Sequence, residues 1–284
     1  VPMTLTGLAG ITEVKFPVNV AARFDQRDID LGLALDVTGS MRGTKIDDLK
    51  QAANDLIDIL LPDTGRANRV RIALAPYAAS VNAGPFAAAV TDYPGGHTCV
   101  HERTGTERFT DAAPIGIHKL GRAETMSCPS ASVEAMTDDK DQLKGRIATY
   151  TARGWTAGHL GAAWAWYLIS PNWSTILPAG SNPFEYGRAN TTKAVVLMTD
   201  GEFNTEYETR NGTSASQARS VCSEMKSKGV NVYSVAFQAP AVARTLLQDC
   251  SSGSSFYFSA ENGEELRQAF KEIAKALNNV RLTN

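Results

Sequence analysis

Leu31-Gly32-Leu33-Ala34-Leu35-Asp36-Val37-Thr38-Gly39-Ser40 is an apolar run that stops at an acid and gives way to a polar, glycine-containing loop. A run without polar alternation suits a strand buried on both faces, as in parallel sheets. Ile46, Leu49, Ala53, Leu56, Ile57 and Leu60 then recur at helical spacing up to Pro62. Thr44-Lys45-Ile46-Asp47, just ahead of them, reads as a capping box. Residues 70–77 read as the next strand. The same order returns later in the chain. A short apolar strand at 195–198 again runs into an acid, Asp200. A helix follows at 214–228, with Ala218, Val221, Cys222 and Met225 on one face and Gly229 at its end. After it come a strand at 230–237, a helix at 241–248 and a strand at 256–258. Leu266, Ala269, Phe270, Ile273, Ala274, Leu277 and Val280 mark a final amphipathic helix. Strands alternating with helices imply βα units. The expected fold is α/β and doubly wound, a mostly parallel central sheet with helices on both faces.

The expected domain spans 29–284, preceded by an extended lead-in at 1–28 in which Val14, Phe16, Val18 and Val20 alternate with polar or small residues. The rhythm breaks at 82–138, which holds Pro85, Pro94, Pro114, Pro129, Gly95-Gly96 and two of the four cysteines. Such a stretch buries little by itself and reads as an irregular insertion stapled by Cys99–Cys128. Cys222–Cys250 is expected between neighbouring helices of the main domain. Four cysteines allow three pairings. Two other readings stand beside the disulfides: free thiols in a reduced compartment, and a zinc set of His97, Cys99, His101 and Cys128. Residues 171–188 form a second irregular piece.

Hydrophobic residues make up 43% and charged residues 20% of the 284, enough apolar material for a packed core. The net charge is −2, from 28 basic and 30 acidic side chains, with no long basic cluster, so nucleic acid is not an expected partner. The longest apolar stretch, 160–169, falls well short of the ~20 residues of a membrane-spanning helix. The chain opens on Val1, so a targeting or anchoring segment ahead of it is expected. No Gly-x-Ser-x-Gly elbow, phosphate-binding lysine loop or His-Glu-x-x-His occurs.

Three short segments sit where strands hand over to loops: Asp36-Val37-Thr38-Gly39-Ser40, Gly154-Trp155-Thr156 and Thr199-Asp200-Gly201-Glu202. Ligands of open parallel sheets bind beyond the carboxyl ends of the strands. Together the segments offer Asp36, Thr38, Ser40, Thr156 and Asp200, two carboxylates and three hydroxyls without a His or Cys. Hard cations prefer such oxygen donors, so one divalent ion is expected, Mg²⁺ first and Mn²⁺ or Ca²⁺ as alternatives. With only two carboxylates the ion stays electropositive and can take an Asp or Glu from a partner protein. Arg42, Trp155, His159, Glu202 and Phe203 are candidates to surround that acid, although packing or capping is the commoner role for a residue placed like His159. The bland alternative is that Asp36 and Thr38 cap the next helix and Thr199-Asp200-Gly201 is only a turn. Trp164, Trp166 and Tyr167 are expected in the core, with Trp155 apart from them.

Asp36-x-Thr38-Gly39-Ser40, a threonine loop and Thr199-Asp200-Gly201, in this order, resemble the metal-ion-dependent adhesion site of the von Willebrand factor A family over roughly residues 29–280. The family more often has Ser where this chain has Thr38, and its threonine loop often reads Gly-Gly-Thr. Residues 36–41, 154–171 and 193–204 are further similar to TadG-type pilus assembly proteins of bacteria. So are Cys99 ahead of Glu102-Arg103-Thr104-Gly105, and Asp111-Ala112-Ala113-Pro114. That resemblance implies a non-enzymatic, metal-dependent binding domain on the periplasmic or surface face of a bacterial envelope. It also implies a membrane anchor ahead of Val1, pilus or envelope components as partners, and a last helix (264–280) that shifts when ligand enters. Two alternatives belong to other classes: a structural scaffold with a vestigial metal loop, and a Mg²⁺-dependent hydrolase built on Asp36. Aspartyl phosphotransferases usually place a second Asp two residues on, where this chain has Thr38.

Overall fold

The computed structural model describes residues 27–63, 68–92, 96–123 and 128–278. Its centre is β1 (Asp28–Asp36), flanked by β2 (Val70–Tyr77) and β7 (Thr191–Thr199), both parallel to it. From β7 the sheet continues in parallel through β8 (Asn231–Phe237) to β9 (Tyr257–Ala260). The chain leaves β1 toward β2 on one side and returns on the other side as β7, so β1 is the switch point of a doubly wound sheet.

The alternation inside the decisive stretch explains the two layers. Leu31, Leu33 and Leu35 pack with α1 (Thr44–Leu60) and α7 (Gly263–Asn278) on one face. Ala34 packs on the other face with α4 (Gly158–Tyr167), α5 (Ser214–Ser227) and α6 (Ala241–Cys250). Gly32 points the same way, and a Cβ there would lie 2.2 Å from the carbonyl oxygen of Ala165. The small residues of β1 let α4 lie directly on the strand. Every residue of α4 is buried, Trp164, Trp166 and Tyr167 included. A helix that is apolar all round is a core helix. No helix among the described residues is long and apolar enough to cross a membrane.

Residues 82–138 do more than loop out. β3 (Val81–Asn82), β4 (Cys99–His101) and β5 (Gly121–Arg122) extend the sheet antiparallel beyond β2, and α2 (Ala87–Val90) lies between β3 and β4. β6 (Glu134–Thr137) also pairs antiparallel with β2, followed by α3 (Lys140–Ala148). Val90, Val100, Leu120 and Met136 from this stretch join the core. Short strands thus dock the stretch onto the sheet edge, and its side chains are buried against the main domain.

Both disulfides form as expected, Cys99–Cys128 and Cys222–Cys250, with Cα separations of 6.0 and 5.1 Å. Each closes a loop of about 30 residues, a constraint of roughly 3–4 kcal/mol on the unfolded chain. The first takes both thiols of the alternative zinc set, and no cluster of three or more His, Cys, Asp or Glu able to hold a metal occurs among the described residues. The capping box at 44–47 does not form: Gly43 is the N-cap of α1, at φ +79°, and no side chain caps that end. The lead-in residues Val14, Phe16, Val18 and Val20, and Val280 of the final helix, lie outside the described residues.

The amino end of the sheet is closed by buried charge. Asp30 pairs with Arg71 at 2.6 Å and Lys193 at 2.9 Å, and accepts the Phe184 N–H at 2.8 Å, which fastens the irregular 171–188 segment under the strands.

Candidate metal and partner-binding site

The opposite end of the sheet carries the candidate site. Parallel register sets Leu35 against Met198, so β1 and β7 end side by side and present Asp36 next to Thr199 and Asp200. Asp36 is wholly buried. Its Oδ1 accepts the Thr38 N–H at 2.8 Å and its Oδ2 accepts the Thr199 hydroxyl at 2.6 Å. The Tyr77 hydroxyl, 3.5 Å from Oδ2, donates to the Met198 carbonyl at 2.7 Å. Burial, and then the facing charge of Asp200, push the Asp36 carboxyl up to about 6.

The Thr38 and Ser40 hydroxyls are 3.0 Å apart, and Ser40 donates to Asp200 Oδ1 at 2.6 Å. Lys45, in the first turn of α1, donates to Asp200 Oδ2 at 2.8 Å. Thr38 and Asp200 are buried while Ser40 is exposed, so the cluster opens outward at Ser40. The threonine loop is held against the first loop by the Gly39 N–H, which donates to the Gly154 carbonyl at 2.9 Å. A Cβ on Gly39 would lie 3.1 Å from that oxygen, so the close approach favours glycine. Thr156 is buried beside the cluster, its N–H donating to Asn204 Oδ1 at 3.0 Å and its carbonyl accepting the Asn204 N–H at 2.9 Å. Among the described residues its hydroxyl makes no hydrogen bond to the other four side chains. Hydrogen bonds thus join Asp36, Thr38, Ser40 and Asp200, while Thr156 is tied in through its backbone.

The five residues suggested as a partner-facing surround divide. Arg42 and Glu202 are exposed, and Trp155 is 68% exposed. Phe203 and His159 are buried, which corrects their assignment to a partner-facing surface. The Phe203 ring packs edge-on to Tyr77 at 6.3 Å and against Gly158, where a Cβ would meet it at 2.0 Å. His159 Nδ1 lies 2.7 Å from the Ser214 hydroxyl and its Nε2 lies 3.4 Å from Glu102 Oε1. Glu102 also accepts the N–H groups of Tyr207 and Glu208, at 2.7 and 3.0 Å. Burial works to raise the Glu102 pKa, but the neighbouring imidazoles of His101, 3.6 Å from its Oε2, and His159 outweigh it and hold the carboxyl well below the usual range. These contacts clamp the 82–138 stretch to the chain that follows Asp200.

Thr199, Lys45 and Asn204 also contact the candidate site residues, and the sequence does not mark them as site residues. Thr199 stands inside a segment already quoted. Lys45 carried a signal of its own, since a cation in the first turn of a helix opposes the helix dipole. Asn204 carried none.

The donor set suits a divalent cation. It is all oxygen, it combines two carboxylates with hydroxyls already within hydrogen-bond reach, and the mutual repulsion of Asp36 and Asp200 is what a positive charge between them would relieve.

The von Willebrand factor type A domain family model matches residues 180–272, which include β7, Thr199-Asp200-Gly201, β8 and β9. No curated protein matches the chain. Among solved structures, the vWF domain of the type V pili tip protein Mfa5 from Porphyromonas gingivalis aligns over 89% of this chain and 96% of that one, with a TM-score of 0.56 and 13% identity. The pilus adhesin SpaC from Lactobacillus rhamnosus GG aligns over 89% of this chain and 31% of its own, with a TM-score of 0.53 and 14% identity. The pilus adhesin RrgA from Streptococcus pneumoniae aligns over 89% and 45%, with a TM-score of 0.51 and 13% identity. The chain thus spans less than half the length of these two adhesins. At such identities the likeness establishes the fold, which is that of a von Willebrand factor type A domain.

Proposed function

We propose that this von Willebrand factor type A-like domain is a metal-dependent protein-binding module of a bacterial envelope protein that serves tight-adherence pili. The observation that carries the reading is the Ser40–Asp200 hydrogen bond, 2.6 Å across 160 residues of sequence, which joins two of the three quoted segments at the switch point of the sheet. Thr38, Ser40 and Asp200 would hold the cation, Mg²⁺ by preference, with Asp36 behind them and Thr156 in the adjoining loop. A bound divalent cation supplies an electropositive position to which an Asp or Glu of the partner can attach. Asp36 is a poor nucleophile here, because both its oxygens are occupied by internal donors, Thr38 and Thr199. Its role is to hold the first loop in shape and to add charge. Exposed Trp155 and Arg42 flank the loops and offer apolar and cationic contacts around an acidic anchor. Two disulfides fit an extracytoplasmic setting, and pilus tip and adhesin domains of the same fold support the pilus assignment.

The test combines two measurements. Calorimetric titration with Mg²⁺ or Mn²⁺ should show binding by wild type and none by Asp36→Ala, whose fold should persist because Asp36 is the last residue of β1 and its side chain takes no part in the strand pairing. Binding to purified tight-adherence pilus proteins should require Mg²⁺ and weaken in Thr156→Ala. Equal partner binding in Mg²⁺ and chelator, by both proteins, removes metal-dependent adhesion as the function.

A further inference from the structure

Lys45 is the second residue of α1, at the helix end where unpaired N–H groups concentrate positive charge. An ammonium is the wrong sign for that place unless an anion compensates it. The anion is Asp200: Lys45 Nζ lies 2.8 Å from its Oδ2, with the lysine side chain 24% exposed and the aspartate side chain fully buried. The two meet across 155 residues of sequence, and Nζ also lies 6.0 Å from the centre of the Phe237 ring. Asp200 therefore divides its oxygens, Oδ1 to Ser40 and Oδ2 to Lys45.

Charge counting shows the consequence. Ionised Asp36 and Asp200 with Lys45 leave the pocket at −1; without the lysine it stands at −2. A divalent cation takes these to +1 and 0. Only the first attracts an incoming carboxylate through net charge. We infer that Lys45 is the built-in counter-charge of this site, weakening its hold on the cation and reserving the loaded site's surplus positive charge for a partner's carboxylate. Lys45 is thus a specificity-determining residue that acts through Asp200. The inference rests on the metal-binding reading proposed above.

The experiment uses wild type, Lys45→Met, Lys45→Gln and the charge-conserving Lys45→Arg. Mg²⁺ affinity is measured by calorimetry at low ionic strength. Carboxylate affinity is measured by titrating acetate into the Mn²⁺-loaded protein and following water-proton relaxation. Thermal melts in chelator and in Mg²⁺ give a third readout. Lys45→Met and Lys45→Gln should bind Mg²⁺ about tenfold more tightly, the step expected for ~1.4 kcal/mol. They should bind acetate at least about fivefold more weakly, and should melt lower than wild type in chelator but gain more from Mg²⁺. Lys45→Arg should follow wild type. Unchanged Mg²⁺ affinity in both neutral variants, or Mg²⁺ and acetate affinities falling together, overturns the counter-charge role while leaving the metal site standing. Absence of Mg²⁺ and Mn²⁺ binding by wild type overturns both readings.

Discussion

Replacing Asp36 by Asn removes one of two facing buried charges while keeping the shape of the side chain. The amide oxygen can still accept the Thr38 N–H, and the amide nitrogen can donate to the Thr199 hydroxyl. In wild type without metal, the Asp36 carboxyl is raised from 3.8 to about 6 by burial and by Asp200. A carboxyl raised on folding makes the native state bind its proton more tightly. Stability is then greatest below 3.8, falls as pH rises through the window up to about 6, and stays lowered above it. Two units at 1.36 kcal/mol each amount to roughly 3 kcal/mol. At ~2–4 °C per kcal/mol for a domain of this size, that is about 6–12 °C in Tm. In chelator at pH 7.5, Asp36→Asn should therefore melt above wild type by about that margin, and at pH 4.5, still above 3.8, the gap should shrink to about a third of it. Taking the difference between the two proteins cancels the titrating groups that lie away from Asp36. Glu102 among them acts in the opposite sense, because its depressed pKa supports the fold at neutral pH and is lost in acid. Saturating Mg²⁺ should stabilise wild type and leave the variant unmoved. Differential scanning fluorimetry over pH 4.5–7.5, with and without metal, reads all of this. A gap that is the same at both ends of the pH range, or an Asp36→Asn variant less stable than wild type in chelator at pH 7.5, refutes the reasoning.

Two further expectations concern the scaffold. The double variant Cys222→Ser, Cys250→Ser should lose about 3–4 kcal/mol in urea unfolding, and an unchanged midpoint would show that the α5–α6 bridge adds nothing. Gly32→Ala should cost at least about 1–3 kcal/mol by the same assay, because its Cβ would meet the Ala165 carbonyl at 2.2 Å and force α4 off β1.

The parts of the fold that were legible in the sequence are those whose signal is local. The β1 run, the amphipathic faces of α1, α5 and α7, and the acids that end β1 and β7 follow from patterns of a few residues. α4 was visible only as an apolar stretch, because a helix buried all round has no amphipathic period to detect. β3, β4 and β5 are two or three residues long, and only non-local pairing makes them strands. The same divide runs through the candidate site. Asp36, Thr38, Ser40 and Asp200 announce themselves by spacing and by strand ends. Locally, Lys45 fits a capping box, because its actual partner, Asp200, is distant in sequence. His159 and Phe203 follow quoted segments closely, yet α4 and the loop after β7 turn them into the core.

The most direct measurement is an anomalous difference map from crystals grown or soaked with Mn²⁺. One strong peak is expected at the carboxyl end of β1 and β7, within coordinating distance of Ser40 and of the Asp200 loop, and no such peak in Asp36→Ala crystals. A folded wild-type protein at saturating Mn²⁺ with no peak there, or with its peak elsewhere, would contradict the metal-binding reading.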